Sequence, residues 1–126
     1  DGRIYPWGED EIAPRRANYD ETGIDRTSPV GGFPAGVSPY GVLDMVGNVY
    51  EWCSSIGWRE AKYPYRSGDG RENLERETWR ALRGGSWYSE RRNTRCASRL
   101  DGHPGDFSDD DGFRVVILGS PPPERQ

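Results

Sequence analysis

One lysine, one histidine, one methionine and two cysteines are all that this chain of 126 residues holds of those types. A lone His103 cannot build a histidine metal site or a proton relay, and in a Gly/Pro-rich loop it reads as exposed. Cys53 and Cys96 are too few for a disulfide scaffold or a four-thiolate zinc site. They read as two small buried residues or as one disulfide, and they fix no compartment. No apolar run reaches the ~18 residues that a membrane-spanning helix needs, and no signal peptide is visible. A cytoplasmic location is therefore expected ahead of a secreted one. The formal net charge of -4 argues against nucleic acid, whose phosphates need a basic face. The partners expected are a protein or a small ligand, not nucleic acid and not a membrane.

Long helices are also disfavoured. Seventeen glycines and ten prolines interrupt the chain, and both break helices and central strands. Apolar residues make up only 33%, a level that alone would suggest disorder. Five Trp, seven Tyr and three Phe argue otherwise, because rings supply large buried area in a loop-rich core. Apart from Lys62 the cations are all arginines, whose planar forks suit fixed ion pairs on loops.

Residues 1–40 are turn-rich and read as an irregular lobe with one short helical turn. Val49 to Cys53 alternates like a strand, with Tyr50 and Trp52 opposite Val49, Glu51 and Cys53. Residues 57–79 read as a polar insertion, with a short helix expected over 72–79. Further strands are expected at 79–83, 94–100 and 113–118. Gly-Ser-Pro-Pro-Pro-Glu-Arg-Gln at the end reads as an extended Pro-rich tail over 119–126. Trp7, Trp52, Trp79 and Trp87 are expected in the core, with Arg83, Gly85, Trp87 and Phe113 as anchors of the turns.

Six motifs occur in order: Tyr5-Pro6-Trp7-Gly8, Ala17-Asn18-Tyr19, Tyr40-Gly41-Val42-Leu43-Asp44-Met45-Val46-Gly47-Asn48-Val49-Tyr50-Glu51-Trp52, Leu82-Arg83-Gly84-Gly85-Ser86-Trp87, Arg95-Cys96-Ala97-Ser98-Arg99 and Gly112-Phe113-Arg114-Val115. Together they resemble the C-terminal half of the formylglycine-generating-enzyme (sulfatase-modifying-factor) family, over about residues 5 to 117. The resemblance implies an α+β fold of irregular, C-type-lectin-like kind, loop-rich with short antiparallel strands. It assigns 1–118 to the C-terminal part of such a domain, and implies the N-terminal half of that domain as a further partner.

The resemblance also implies chemistry. The family's enzymes oxidise a substrate cysteine to formylglycine with two thiols that hold copper, and soft Cu(I) calls for thiolates. Those thiols lie five and ten positions before Cys96, where this chain has Arg91 and Ser86. No catalytic residue and no copper are therefore expected. Calcium is: Asp44, Gly47, Val49 and Glu51 match the family's second calcium site, with two carboxylates and two backbone carbonyls as hard ligands. The plainer alternative is that Asp44 caps a turn and Glu51 pairs with an arginine. A first calcium site resembles Asn18 and the Tyr19 carbonyl, with Glu21 or Thr22 at its acidic position.

The same fold also serves as the hypervariable target protein of diversity-generating retroelements, whose varied segment runs from Arg-Gly-Gly-Ser-Trp to Gly-Phe-Arg. Here that is Arg83 to Arg114. Tyr88, Ser89, Asn93, Ser98, Leu100, Asp101 and His103 are all of types reachable from an Asn codon through its adenines; Glu90 is not. Ordinary turns share this composition. With Arg91, those seven are the expected ligand-binding residues, on loops held by a fixed frame. The function expected is a non-catalytic ligand- or protein-binding module, the alternative being part of a sulfatase-modifying oxidoreductase.

Overall fold

The alternation read at Val49–Cys53 becomes the longest strand, β1, Tyr50–Ile56, in the computed structural model, which describes residues 1–117 and Gly119. Three shorter strands join it: β2, Arg80–Arg83; β3, Arg99–Gly102; and β4, Asp111–Gly112. They form one sheet in the order β3-β2-β1-β4. β1–β2 and β2–β3 are antiparallel, whereas β4 runs parallel to β1. The sheet is therefore mixed and not antiparallel throughout.

Register gives the two faces of the sheet different chemistry. Trp52 stands opposite Leu82, and Leu82 opposite Leu100. Leu82 is buried beneath that row. Glu51 stands opposite Arg83, and Arg83 opposite Arg99, so a charged row crosses the other face.

Ile56 on β1 and Leu82 on β2 are buried, but the main apolar cluster lies outside the sheet. Tyr5, Ile12, Ala17, Tyr19 and Val46 form the buried cluster, with Trp7 packed against it. Tyr5 and Trp7 stack with centroids 5.3 Å apart, an arrangement favoured by ring quadrupoles. The irregular lobe thus supplies the apolar centre through side chains spaced by turns. Trp52, Trp79 and Trp87 are only half-buried.

Two consecutive left-handed residues tie the lobe to the sheet. Gly47 (φ 76°) lies so close to Asn18 that a Cβ there would run into its carbonyl oxygen. Only glycine combines that φ with that approach. Gly47 N–H donates to the Gly84 carbonyl (2.9 Å) and Asn48 N–H to the Asn18 carbonyl (2.8 Å). Trp87 N–H donates to the Asn48 carbonyl (2.9 Å), and Ser28 N–H to Asn48 Oδ1 (2.8 Å).

Several expectations are corrected. Among the described residues there is no α-helix; helical structure is limited to 3-10 turns at Asp20–Thr22, Pro34–Gly36 and Arg91–Thr94. The helix expected over 72–79 is a run of turns, because the Arg80 guanidinium takes up the Asn73 and Arg76 carbonyls at 2.9 and 2.7 Å. The strand expected over 94–100 begins only at Arg99, after Thr94 Oγ1 bonds back to the Arg91 carbonyl (2.7 Å). The strand expected over 113–118 is displaced to Asp111–Gly112. Phe113 and Val115–Ile117 are exposed and in no strand, so Phe113 is no buried anchor. Leu118 and, Gly119 apart, the expected tail lie outside the described residues.

The 57–79 insertion is pinned to the sheet at Asp101 and braced within itself further on. Asp101, on β3, is buried. Its carboxylate accepts the backbone N–H groups of Trp58 (3.0 Å) and Arg59 (2.9 Å). Gly57 permits this, since a Cβ there would collide with that carboxylate. Further on, Asp69 receives two nitrogens of Arg71, at 2.9 and 2.6 Å.

Two predictions follow from these pins. Asp101→Ala leaves two N–H groups without an acceptor and should cost about 1–3 kcal/mol, read as a lowered denaturant midpoint with unchanged slope. The Arg71 guanidinium holds the Asp69 carboxyl down at about 2, below the ordinary ~3.9. A depressed carboxyl stabilises above its unfolded value and loses that contribution as pH falls through the folded one. The stability difference between wild type and Asp69→Asn should therefore be constant from neutral pH to about 4 and vanish towards pH 2, measured by urea melts.

Candidate calcium cleft and ligand-binding face

Asp44, Gly47, Val49 and Glu51 come together in one small cleft of about 150 Å³. Asp44 takes a left-handed φ of 52°, a conformation that Asp tolerates. Its Oδ2 accepts the Gly31 N–H at 2.7 Å. Glu51 is paired with Arg114, whose Nε donates to Glu51 Oε2 at 2.5 Å. The same guanidinium donates to the Leu43 and Asp44 carbonyls at 3.1 and 2.7 Å. The Glu51 carboxylate beside Arg114 pushes the guanidinium further towards its charged form.

The donor set fits a hard cation in kind: carboxylate and carbonyl oxygens only. Among the described residues no loop amide donates to the Gly47 or Val49 carbonyl. The Glu51 oxygens are shared with Arg114, so the plainer reading of Asp44 as a turn cap and Glu51 as an arginine partner also has its contacts here. Among the described residues, no three acidic, His or Cys groups converge. A cation in this cleft would lean on backbone oxygens.

The Asn18–Tyr19 position is less open. Asn18 is buried, and its Nδ2 donates to the Arg26 carbonyl (2.8 Å) and Ser28 Oγ (3.2 Å). Its Oδ1 is buried without a partner, an orphan acceptor of the kind a cation satisfies. The Tyr19 carbonyl already accepts the Thr22 N–H at 2.8 Å. Glu21 is turned to Arg91, whose Nε lies 2.5 Å from it, and Thr22 Oγ1 donates to the Ala17 carbonyl at 2.9 Å.

The expected ligand-binding residues divide into two sets. Tyr88 is 72% exposed and meets Trp87 edge-on at 5.6 Å. Arg91 is exposed but held by Glu21, and Asn93 and Ser98 are half-buried. Leu100 and His103 are exposed, with His103 edge-on to Trp79 at 5.9 Å. Ser89 and Asp101 are buried and face inward. Ser89 Oγ accepts the Ser86 N–H at 2.9 Å, and its carbonyl accepts the Asp20 N–H at 3.1 Å. Both belong to the frame and not to an open surface. The remaining residues do not share one hollow. His103 lines a cleft of about 580 Å³ beside Trp52 and Leu74, whereas Tyr88, Asn93 and Arg91 stand on the 86–94 loop.

The two thiol positions are occupied by structural contacts. Ser86 is fully buried, and its Oγ donates to Asp110 Oδ2 at 2.7 Å. Cys53 and Cys96 are free and line different clefts. Burial pushes both thiols up from their ordinary value, opposite to an activated thiolate. Sequence reasoning missed the Asp110–Ser86 bond and, though it allowed Glu51 an arginine partner, did not single out Arg114. The arginine excess signalled the second alone, and every ion pair among the described residues does use an arginine.

Comparison with known proteins places this arrangement. Residues 1–118 match the model of the sulfatase-modifying factor enzyme 1-like domain. The chain is 38% identical over 113 residues to a serine/threonine-protein kinase pkn1 of Chlamydia caviae, covering 89% of this chain and 17% of that one. It is 33% identical over 139 aligned positions to the inactive C-alpha-formylglycine-generating enzyme 2 of Bos taurus, covering 98% and 40%. Among solved structures, Treponema denticola variable protein 1 superposes with a TM-score of 0.66 at 25% identity, covering 89% of this chain and 40% of that one. PvdO from Pseudomonas aeruginosa gives 0.64 at 30%, covering 86% and 41%. The chain thus spans well under half the length of these relatives. It belongs to the family of sulfatase-modifying factor enzyme 1-like domains.

Proposed function

We propose that this chain is a non-catalytic binding module on a sulfatase-modifying-factor scaffold, with structural calcium and a ligand face on the 83–114 segment. One observation carries the reading. The positions that match the family's copper thiols hold Ser86 and Arg91, and both are engaged within the fold, one by Asp110 and the other by Glu21. Hydroxyl and guanidinium are not ligands for Cu(I). The protonated, separated thiols of Cys53 and Cys96 offer no replacement pair. The bovine relative carries the word inactive in its name, and the likeness to a variable protein supports a diversified segment. The exposed Tyr88, Leu100 and His103 of that segment, with the half-buried Asn93 beside them, offer a rigid ring with adaptable polar groups, the chemistry of a variable paratope.

Copper competition tests the reading directly. Against a chromophoric Cu(I) chelator, the wild type should hold no more metal than Cys53→Ser/Cys96→Ser. It should release no formylglycine from a cysteine-containing sulfatase peptide. Competition or turnover by the wild type that the double variant loses would overturn the proposal.

Calcium is tested by melting. At free calcium of about 100 times the dissociation constant, linkage adds about 2.7 kcal/mol of stability. Chelation should lower the melting temperature, and Asp44→Ala should abolish the difference. An identical melt in chelator and in millimolar calcium would remove calcium from the proposal.

A further inference from the structure

The charged face of the sheet leads to a second pocket, lined by none of Tyr88, Asn93, Leu100 and His103. Arg83 on β2 and Arg99 on β3 are direct cross-strand partners. Like charges in that relation repel, and a fold that keeps them opposite each other needs negative charge nearby. None is committed to them. Among the described residues neither makes an ion pair: Arg83 donates only to the Cys96 carbonyl (2.5 Å), and the Arg99 guanidinium lies 3.9 Å from the centre of the Tyr63 ring.

Three of the surrounding acids are already spent. Glu51 is held by Arg114, Asp69 by Arg71, and Asp101 by the Trp58 and Arg59 amides. Glu72 keeps its charge but does not line the pocket; its carboxylate accepts the Ser55 hydroxyl at 2.8 Å. Both arginines line one pocket of about 270 Å³, roofed by the insertion through Trp58, Tyr63 and Tyr65. Lys62, 5.3 Å from the Trp58 ring, adds positive charge at its edge, while Arg71, over the Tyr65 ring at 4.5 Å, is neutralised by Asp69.

We propose that this pocket binds a small, flat aromatic molecule carrying an oxyanion, with the anion between Arg83 and Arg99 and the ring among Trp58, Tyr63 and Tyr65. Paired guanidinium forks match the several lone pairs of a phosphate or carboxylate. The aromatic roof supplies faces for a ring, and Tyr63 and Trp58 are exposed enough to receive one. The volume is below the ~300–1,000 Å³ of sites for drug-sized ligands, which limits the occupant to about one ring with its anion.

Calorimetric titration of the whole chain with phenyl phosphate at low salt tests this. Saturable one-to-one binding is expected, weakening as salt rises. Inorganic phosphate and benzyl alcohol, which separate the anion from the ring, should each bind at least about tenfold more weakly. Arg99→Gln should weaken phenyl phosphate by about tenfold or more while its melting temperature holds or rises, because the facing charges are relieved. Tyr63→Ala, on the exposed roof, should show a similar loss and serves if Arg99→Gln does not fold. Absence of saturation by phenyl phosphate, equal affinity for inorganic phosphate, or unchanged affinity in a folded variant would overturn the proposal.

Discussion

The junction at Gly47 and Asn48 holds the lobe to the sheet, and the rest of the fold depends on it. Two left-handed residues in succession turn the backbone so that its amides, a carbonyl and the Asn48 side chain reach three separate segments, around Asn18, Ser28 and Gly84–Trp87. Each such bond contributes about 1 kcal/mol net, but losing one partner inside leaves a buried group unsatisfied at a larger cost. In a chain with only four short strands and no α-helix among the described residues, regular ladders satisfy few backbone groups. The loops satisfy the remainder through such nodes.

The same economy explains the arginines. A loop-rich fold needs donors that reach several carbonyls at once, and a guanidinium carries five N–H groups in a fixed plane. Arg80 spans three segments and Arg114 ties Leu43, Asp44 and Glu51 together. A lysine offers one charged point and no planar fork. Lys62, the single lysine, sits at an aromatic edge with no such bridging task.

Much of this was legible in the sequence where periodicity was strong. The alternation at Tyr50–Trp52 marked β1, and Arg80–Arg83 was read to within a residue. The family motifs gave the fold's kind and brought Asp44, Gly47, Val49 and Glu51 into one cleft. Elsewhere, local pattern lost to tertiary bonding. The β-branched run after Phe113 looks like a strand by propensity, but only Asp111 and Gly112 pair with β1. The 72–79 stretch looks helical, yet Arg80 draws its carbonyls away from helical partners. The core was hardest to see, because Tyr5, Ile12, Ala17, Tyr19 and Val46 follow neither a helical nor a strand period.

The division within the 83–114 segment carries the functional argument furthest. Composition alone cannot separate a residue that faces a ligand from one that closes a turn, since Ser, Asp and Asn do both. Burial separates them. Ser86, Ser89, Thr94 and Asp101 are inside, each bonded to the frame. Tyr88, Leu100 and His103 face out, and Asn93 is half-buried beside them. A segment built this way can change its outward residues without disturbing the Gly47–Asn48 junction that anchors its first end or the β1 pairing that holds its last. Variation is then confined to side chains that the fold does not use. That physical condition is what a scaffold must meet if its surface is to be altered while its stability is kept.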